Sequence, residues 1–247
     1  MVRLLIIIIF WVWSSEAQAR NKYVVDDFSS YEVGHFPSSD KNGWHIFTPI
    51  HVIRTKNYVI ESEGLNNKFL RSVIPLELDR NHKAVTIIKR VFKTNSDSGK
   101  NKVFLNPKDY PILTWRWRVH ELPKGSDERV ETKEIKRSDS AAGIYVYLQK
   151  EGLDPYIMKY VWSETLPEGT RLLSPSSNGS FQAHICVVKS GSKKLGLWET
   201  ERVNIYDDFK LLFNKEPPRI LGIGILTDAD STHTSAKADY DDIVLLK

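Results

Sequence analysis

Ile112-Leu113-Thr114-Trp115-Arg116-Trp117-Arg118-Val119 reads as a β-strand with two unlike faces. Side chains alternate across a strand, so Trp115, Trp117 and Val119 share one surface while Thr114, Arg116 and Arg118 share the other. The apolar surface belongs between two sheets. The cationic one either pairs with acids of a neighbouring strand or lies on a concave sheet, where planar guanidinium groups offer forked donors to carboxylates, sulfates or hydroxyls. Met158-Lys159-Tyr160-Val161-Trp162-Ser163 alternates in the same way and puts Tyr160 and Trp162 on one face, as core residues or as stacking platforms for sugar rings. Trp162, at a strand end, is the expected platform. Tyr145 and Tyr147 share a face opposite Ile144, Val146 and Leu148, and that strand is expected to contribute to the same surface.

Comparable runs, rich in β-branched and aromatic residues and bounded by Gly, Pro, Asn, Asp and Ser, recur along the chain. They span residues 23–28, 58–61, 68–72, 84–92, 112–119, 141–148, 158–163, 183–189, 197–205, 220–227 and 239–246. The pattern predicts an all-β fold, a two-sheet β-sandwich of jelly-roll type. One short helix is expected over Asp207 to Phe213, capped by Asp207 or Asp208 and stopped by Pro217-Pro218. Long polar stretches at 36–43, 93–108, 122–140, 166–180 and 229–238 read as loops. The densely charged one, Leu122 to Ser140, is expected as a solvated flap, a short strand excursion or a site lid. With no repeat and no linker, residues 20–247 read as a single domain.

The first residues are set apart. Met1-Val2-Arg3 gives a positive start, Leu4 to Trp13 an apolar run, and Ala17-Gln18-Ala19 a small-x-small site, the pattern of a signal peptide over residues 1–19. That run is too short for a helix to cross the hydrocarbon core, which needs about 20 residues. The expectation is cleavage near Ala19 and a periplasmic or secreted mature chain without a membrane span. Its loss removes Arg3 and Glu16, so the net charge stays at +4. That mild, dispersed charge argues against nucleic acid. Cys186, the single cysteine, lies in a strand-like run and reads as a small buried hydrophobe.

Matching acidic segments open and close the mature chain: Val24-Val25-Asp26-Asp27-Phe28 and Asp239-Tyr240-Asp241-Asp242-Ile243. Carboxylates in apolar strands must be paired, hydrogen-bonded or bound to metal. The two strands are therefore expected as neighbours, with Asp26, Asp27, Asp241 and Asp242 either holding a structural calcium or bonded to amides and basic side chains.

Two further acid pairs could act chemically. Glu199 and Glu201 share a face of their strand, as acid/base groups or as partners of Arg116 and Arg118. Asp228 and Asp230 end an apolar strand and begin like a calcium loop, but His233 stands where an EF-hand needs Gly and Asp239 where it needs Glu. A looser calcium site there stays open. Phosphate-loop, dinucleotide, zinc and nucleophile-elbow motifs are all missing.

Six segments together resemble a bacterial exported family catalogued as domain of unknown function 3047. They are Leu113 to Val119, Leu122-Pro123-Lys124-Gly125-Ser126-Asp127-Glu128, Asp139-Ser140-Ala141-Ala142, Lys159-Tyr160-Val161-Trp162-Ser163, Gly196 to Arg202, and Gly222 to Asp230. The resemblance implies export and one domain, and supplies no chemistry. The acidic strand ends are also similar to those of jelly-roll carbohydrate-binding modules and lectin-like glucanases, although no Glu-x-Asp-x-x-Glu strand is present.

The function expected is non-catalytic binding of a glycan or acidic polysaccharide in the cell envelope, with Arg116, Arg118, Tyr160, Trp162, Glu199, Glu201, Asp228 and Asp230 as ligand-binding residues. A polysaccharide hydrolase or lyase using Glu199, Glu201, Asp228 or Asp230 is the alternative. A protein-binding envelope scaffold is the third reading.

Overall fold

The computed structural model describes residues 21–38, 43–47, 57–65, 67–76, 86–94, 102–132, 134–152, 154–175, 177 and 182–247. The signal-peptide segment lies outside these residues.

Strands follow one another as β1 (Lys22–Asp26), β2 (His45–Phe47), β3 (Tyr58–Glu63), β4 (Asn67–Ile74), β5 (Thr86–Arg90), β6 (Phe92–Thr94), β7 (Lys102–Phe104), β8 (Ile112–Glu121), β9 (Ala142–Leu148) and β10 (Tyr156–Ser163). Then come β11 (Arg171–Leu173), β12 (Gln182–Ser190), β13 (Glu199–Asn204), the helix α1 (Ile205–Phe213), β14 (Ile220–Leu226) and β15 (Ala236–Leu246). The fold is a β-sandwich with one short helix. A six-stranded sheet runs β13-β8-β15-β4-β3, with β1 also on β15, and a seven-stranded sheet runs β11-β12-β10-β9-β14-β5-β2. Neighbours pair antiparallel except β10 with β12, which run parallel. β6 and β7 form a separate hairpin.

First and last strands are neighbours, as their matching acids suggest: Tyr23 lies opposite Leu245 and Val24 opposite Val244. β15 changes partner along one edge, from β4 at 236–240 to β1 at 243–246. Asp242, at φ 49°, sits in the left-handed region at this irregularity, where the register with β8 also shifts.

The core lies between the sheets. Leu113, Trp115, Trp117 and Val119 of β8 point inward and are fully buried. Trp115 and Trp117 pack edge to face at 5.3 Å, and they meet Tyr160 and Trp162 of β10 at 5.9 and 5.8 Å. Polar atoms brought in with these rings find partners. Tyr160 OH donates to Asp208 at 3.0 Å, Trp162 Nε1 to the Gly191 carbonyl at 3.0 Å, and Trp117 Nε1 to Glu201 at 3.2 Å.

The helix begins two residues before its expected start. Asn204, not Asp207 or Asp208, is its cap: the Asn204 side-chain oxygen Oδ1 accepts from the Tyr206 and Asp207 amides. The two aspartates fall in the first turn, where they favour the helix dipole. Strands β2, β7 and β11, three residues each, are too short to carry an alternation and were not expected from sequence. The predicted run 84–92 divides into β5 and β6 around Val91.

Candidate functional site

Arg116 and Arg118 point outward from the six-stranded sheet, as alternation requires, and there they meet acids. Arg116 Nη2 lies 2.6 Å from Asp241 and its Nε 2.8 Å from Asp242. Arg118 Nη2 lies 2.8 Å from buried Asp239 and its Nη1 2.9 Å from Glu63. Arg71 and His120 also reach Asp239, each at 2.7 Å. Trp198 lies over this layer, 5.0 and 4.5 Å from the two guanidinium carbons, with Nε1 donating to Glu63 at 2.8 Å. The face is a neutralised ionic layer under an aromatic cover, so Arg116 and Arg118 are not open anion receptors.

Tyr160 and Trp162 are in the core and fully buried. They offer no surface for stacking, which corrects the expectation that they form a platform. The reason is parity: even-numbered residues of β10 face β8, and only Ile157, Lys159 and Val161 face away.

Glu199 and Glu201 lie opposite Trp117 and Trp115 in the β13–β8 pairing. They share the inward face of that edge, on the other side of the sheet from Arg116. Their partners are Lys189, at 3.2 and 3.5 Å, and Lys194, 3.3 Å from Glu199. Burial outweighs these contacts for Glu201 and raises its carboxyl, whereas for Glu199 the lysines prevail and lower it.

Asp26, Asp27, Asp241 and Asp242 do not gather around one point. Asp26 accepts from Lys89 Nζ at 2.6 Å, Trp44 Nε1 at 2.8 Å, Tyr31 OH at 2.9 Å and the Phe28 amide at 3.0 Å. Asp27 accepts from Ser29 at 2.6 Å, and the other two engage Arg116. Protein donors thus fill the role considered for calcium.

Among the described residues, the carboxylates that converge are Asp139, Asp228 and Asp230, with oxygens within 4.8 Å of one another. Asp228 follows β14 and Asp139 precedes β9, the strand beside it; the Asp228 amide donates to the Ser140 carbonyl at 3.0 Å. The group could hold a metal ion, and three oxygen donors suit a hard cation. Asp139 is nonetheless already engaged, by the Ser231 amide at 3.2 Å and by the Thr232 amide and hydroxyl at 2.7 Å each. Burial, then Asp139 and Asp230, push the Asp228 carboxyl well above the usual range.

The charged loop delivers Asp139 and is tied down rather than free. Buried Glu128 accepts from Ser140 at 3.1 Å and from Ser163 at 2.7 Å, and Glu164 receives the Ser126 amide at 2.9 Å. Burial raises Glu128, whose side-chain partners are the hydroxyls of Ser140 and Ser163.

These groups stand at one end of the outer face of the seven-stranded sheet. The floor is apolar: Tyr145, Tyr147, Ile157, Val161, Ile185 and Val187 form a second cluster, separate from the core. Gly143 leaves room for Tyr145, whose ring lies 2.7 Å from where a Cβ on Gly143 would stand. Lys159 rises from this floor; burial lowers its ammonium group, opposed by Asp228 and Glu131. Tyr145 and Tyr147 are nearly covered, whereas Lys159, Asp228, Asp230 and Glu131 are half-buried, so solvent reaches the face at the acidic end.

The ligand-binding residues expected from sequence therefore scatter over the outer ionic layer, the core, the sandwich edge and the acidic end of this face. Asp228 meets Asp230, Glu199 and Glu201 share Lys189, and Arg116 and Arg118 lie together beneath Trp198, but these pairs do not come together in one site. Sequence reasoning missed Asp139 and Lys159 as site residues, although the shared face of Tyr145 and Tyr147 was readable from alternation.

A family model described as "Protein of unknown function (DUF3047)" matches residues 94–244. The chain belongs to this family. No curated protein matches it in sequence. Among solved structures, it resembles the family 11 carbohydrate-binding module of the cellulase Lic26A-Cel5E of Clostridium thermocellum, at 10% identity over 91% of this chain and 94% of that one, with a TM-score of 0.35. It also resembles a family 12 xyloglucanase from Bacillus licheniformis, at 6% identity over 92% and 97%, TM-score 0.40. A third likeness is to endoglucanase 3 of Trichoderma harzianum, from family GH12, at 8% identity over 85% and 99%, TM-score 0.32. At these identities the likeness concerns architecture and not chemistry.

Proposed function

We propose that this DUF3047 chain is an exported, periplasmic or secreted protein that binds a neutral glycan in the slot beside Tyr145. One observation carries the reading: Asp139, Asp228 and Asp230 converge within 4.8 Å at the solvent-reached end of the outer face of the seven-stranded sheet, on the side of Lys159, whose Nζ lies 5.4 Å from the centre of the Tyr145 ring. The carboxyl oxygens accept from sugar hydroxyls and the lysine donates to them, while half-buried Ile88, Leu172, Leu221 and Leu226, packed against the Tyr145 cluster, offer apolar contact. Charge argues against the acidic polysaccharide: Asp139, Asp228, Asp230 and Glu131 lie around Lys159, and Arg116 and Arg118 of the other sheet are already paired.

The test is a glycan array on the mature protein, with and without calcium, followed by an assay for depolymerisation of each hit. Binding of neutral glycans without turnover is the expected result. The calcium arm addresses the three converging aspartates; no difference on chelation, with no metal by elemental analysis, means they act as carboxyls alone. Failure to retain any glycan refutes the proposal.

A second reading, a polysaccharide hydrolase, draws on the raised Asp228 carboxyl beside Asp139. A general acid needs that elevation, and a second carboxylate nearby is its usual companion. Turnover in the same assay selects it.

A further inference from the structure

The segment after β1 and the strand β2 line a broadly open hollow of about 730 Å3, whose lining includes none of Asp139, Tyr145, Lys159, Asp228 or Asp230. We propose that it is a second ligand site, for a small neutral saccharide. Its volume lies within the range of about 300–1,000 Å3 typical of small-molecule sites. Tyr31, Phe36 and Ile46 are half-buried walls, and Trp44 closes the floor. At the mouth stand exposed His35, His45 and Ser38.

The walls are fixed before any ligand arrives. One oxygen of Asp26 receives Lys89 Nζ at 2.6 Å, Trp44 Nε1 at 2.8 Å and Tyr31 OH at 2.9 Å, which orients both rings. Phe28 stacks on Trp44 at 5.9 Å. The backbone is held as well: the Gly34 amide donates to Ile60 at 2.8 Å, the Ile60 amide to His35 at 2.9 Å, and the Trp44 amide to Pro37 at 3.0 Å. Such preorganisation lowers the ordering cost of binding.

The ligand class follows from the division between interior and mouth. An apolar interior ringed by groups that both donate and accept matches a molecule with an apolar face and a hydroxylated perimeter, which is a pyranose. An anionic guest meets no lysine or arginine among the described lining residues, since Lys89 behind them is held by Asp26, and a cationic one meets a single exposed carboxylate, Glu32. A metal is disfavoured too: His35, His45 and Glu32 do not converge as Asp139, Asp228 and Asp230 do.

The test is titration of the full chain with glucose, galactose, mannose, maltose and cellobiose, alongside indole and glucuronate, read by amide chemical shifts. At least one neutral sugar should shift the amides of residues 31–36 and 44–46. His45→Ala and Phe36→Leu should each weaken that binding by about tenfold, the equivalent of one lost hydrogen bond or packing contact, while Asp228→Asn leaves it unchanged. His45 is exposed on β2, so its replacement keeps the fold and stays informative even if Phe36→Leu does not. Shifts with indole or glucuronate alone, no shifts with any sugar, or sugar binding lost in Asp228→Asn but retained in His45→Ala would each overturn the proposal. The last of these would leave the Asp228 slot as the sugar site.

Discussion

Asp239 and Arg118 are joined through a single carboxylate oxygen, which takes Nε at 2.9 Å and Nη2 at 2.8 Å, with the acid wholly buried. The same oxygen receives His120 at 2.7 Å, and Arg71 bridges both oxygens at 2.7 and 3.0 Å. Removing the acid strands three donors beneath Trp198 and Phe69. Asp239→Asn should therefore lower stability by about 3–5 kcal/mol, the scale for breaking a buried ion pair from one side. Urea unfolding of the two proteins measures it, and a change under 1 kcal/mol would mean the layer is solvated.

Acids buried in and around the six-stranded sheet, Asp239 and Asp241 of β15 foremost, give the stability profile its shape. Burial, then Asp242, raise the Asp241 carboxyl to about 6 from its ordinary 3.8. A folded value above the unfolded one means that proton uptake favours the fold, so this contribution is full below about pH 4 and is lost as pH rises through 6. Burial likewise raises Glu128 and Glu201, with the same sign. Asp239 runs the other way. Burial raises it, but Arg71 and His120 donate to it and hold it below the ordinary value, so its contribution is present above about pH 3.8 and vanishes on further acidification. Melting temperature should rise from pH 7.5 to about 5 and fall below 4. Asp241→Asn should flatten the upper limb, and an unchanged profile in that variant would contradict the assignment.

Trp162 distinguishes core from surface. Packed 5.8 Å from Trp117 and fully buried, it should cost about 3–5 kcal/mol when replaced by Ala, through lost burial and the cavity left behind. A surface platform would lose well under 1 kcal/mol. Equilibrium denaturation separates the two.

Alternation made the fold legible because it is a local property. The Trp115 and Trp117 face, the pairing of first and last strands, and the sites of the longer strands all follow from period-two patterns and acidic ends. What alternation leaves open is which of two faces is inward. Tyr160 with Trp162 and Tyr145 with Tyr147 make equally good patterns, and only the stacking of β10 against β8 sends the first pair into the core and the second outward. The partners of Arg116 and Arg118 were hidden for a related reason. They come from β15, more than a hundred residues away, and from Glu63 of β3. Glu199 and Glu201, their candidate partners by charge, turned out to lie across the sheet because β13 pairs with β8 in the register that sets Glu199 opposite Trp117. Asp139, at the end of a charged loop, carried no pattern at all.

Comparing the affinity of Asp228→Asn and Arg116→Gln for a glycan that the parent protein and its His45→Ala variant bind equally well, by calorimetry at pH 7, is the most direct test. Asp228 sits in the slot with its carboxyl pushed upward by burial, so its amide replacement should keep the fold while weakening binding at least tenfold. Arg116 lies on the opposite sheet and is paired with Asp241 and Asp242, so its replacement should leave affinity within twofold. Binding that survives Asp228→Asn and collapses in folded Arg116→Gln would move recognition to the arginine face and contradict the account.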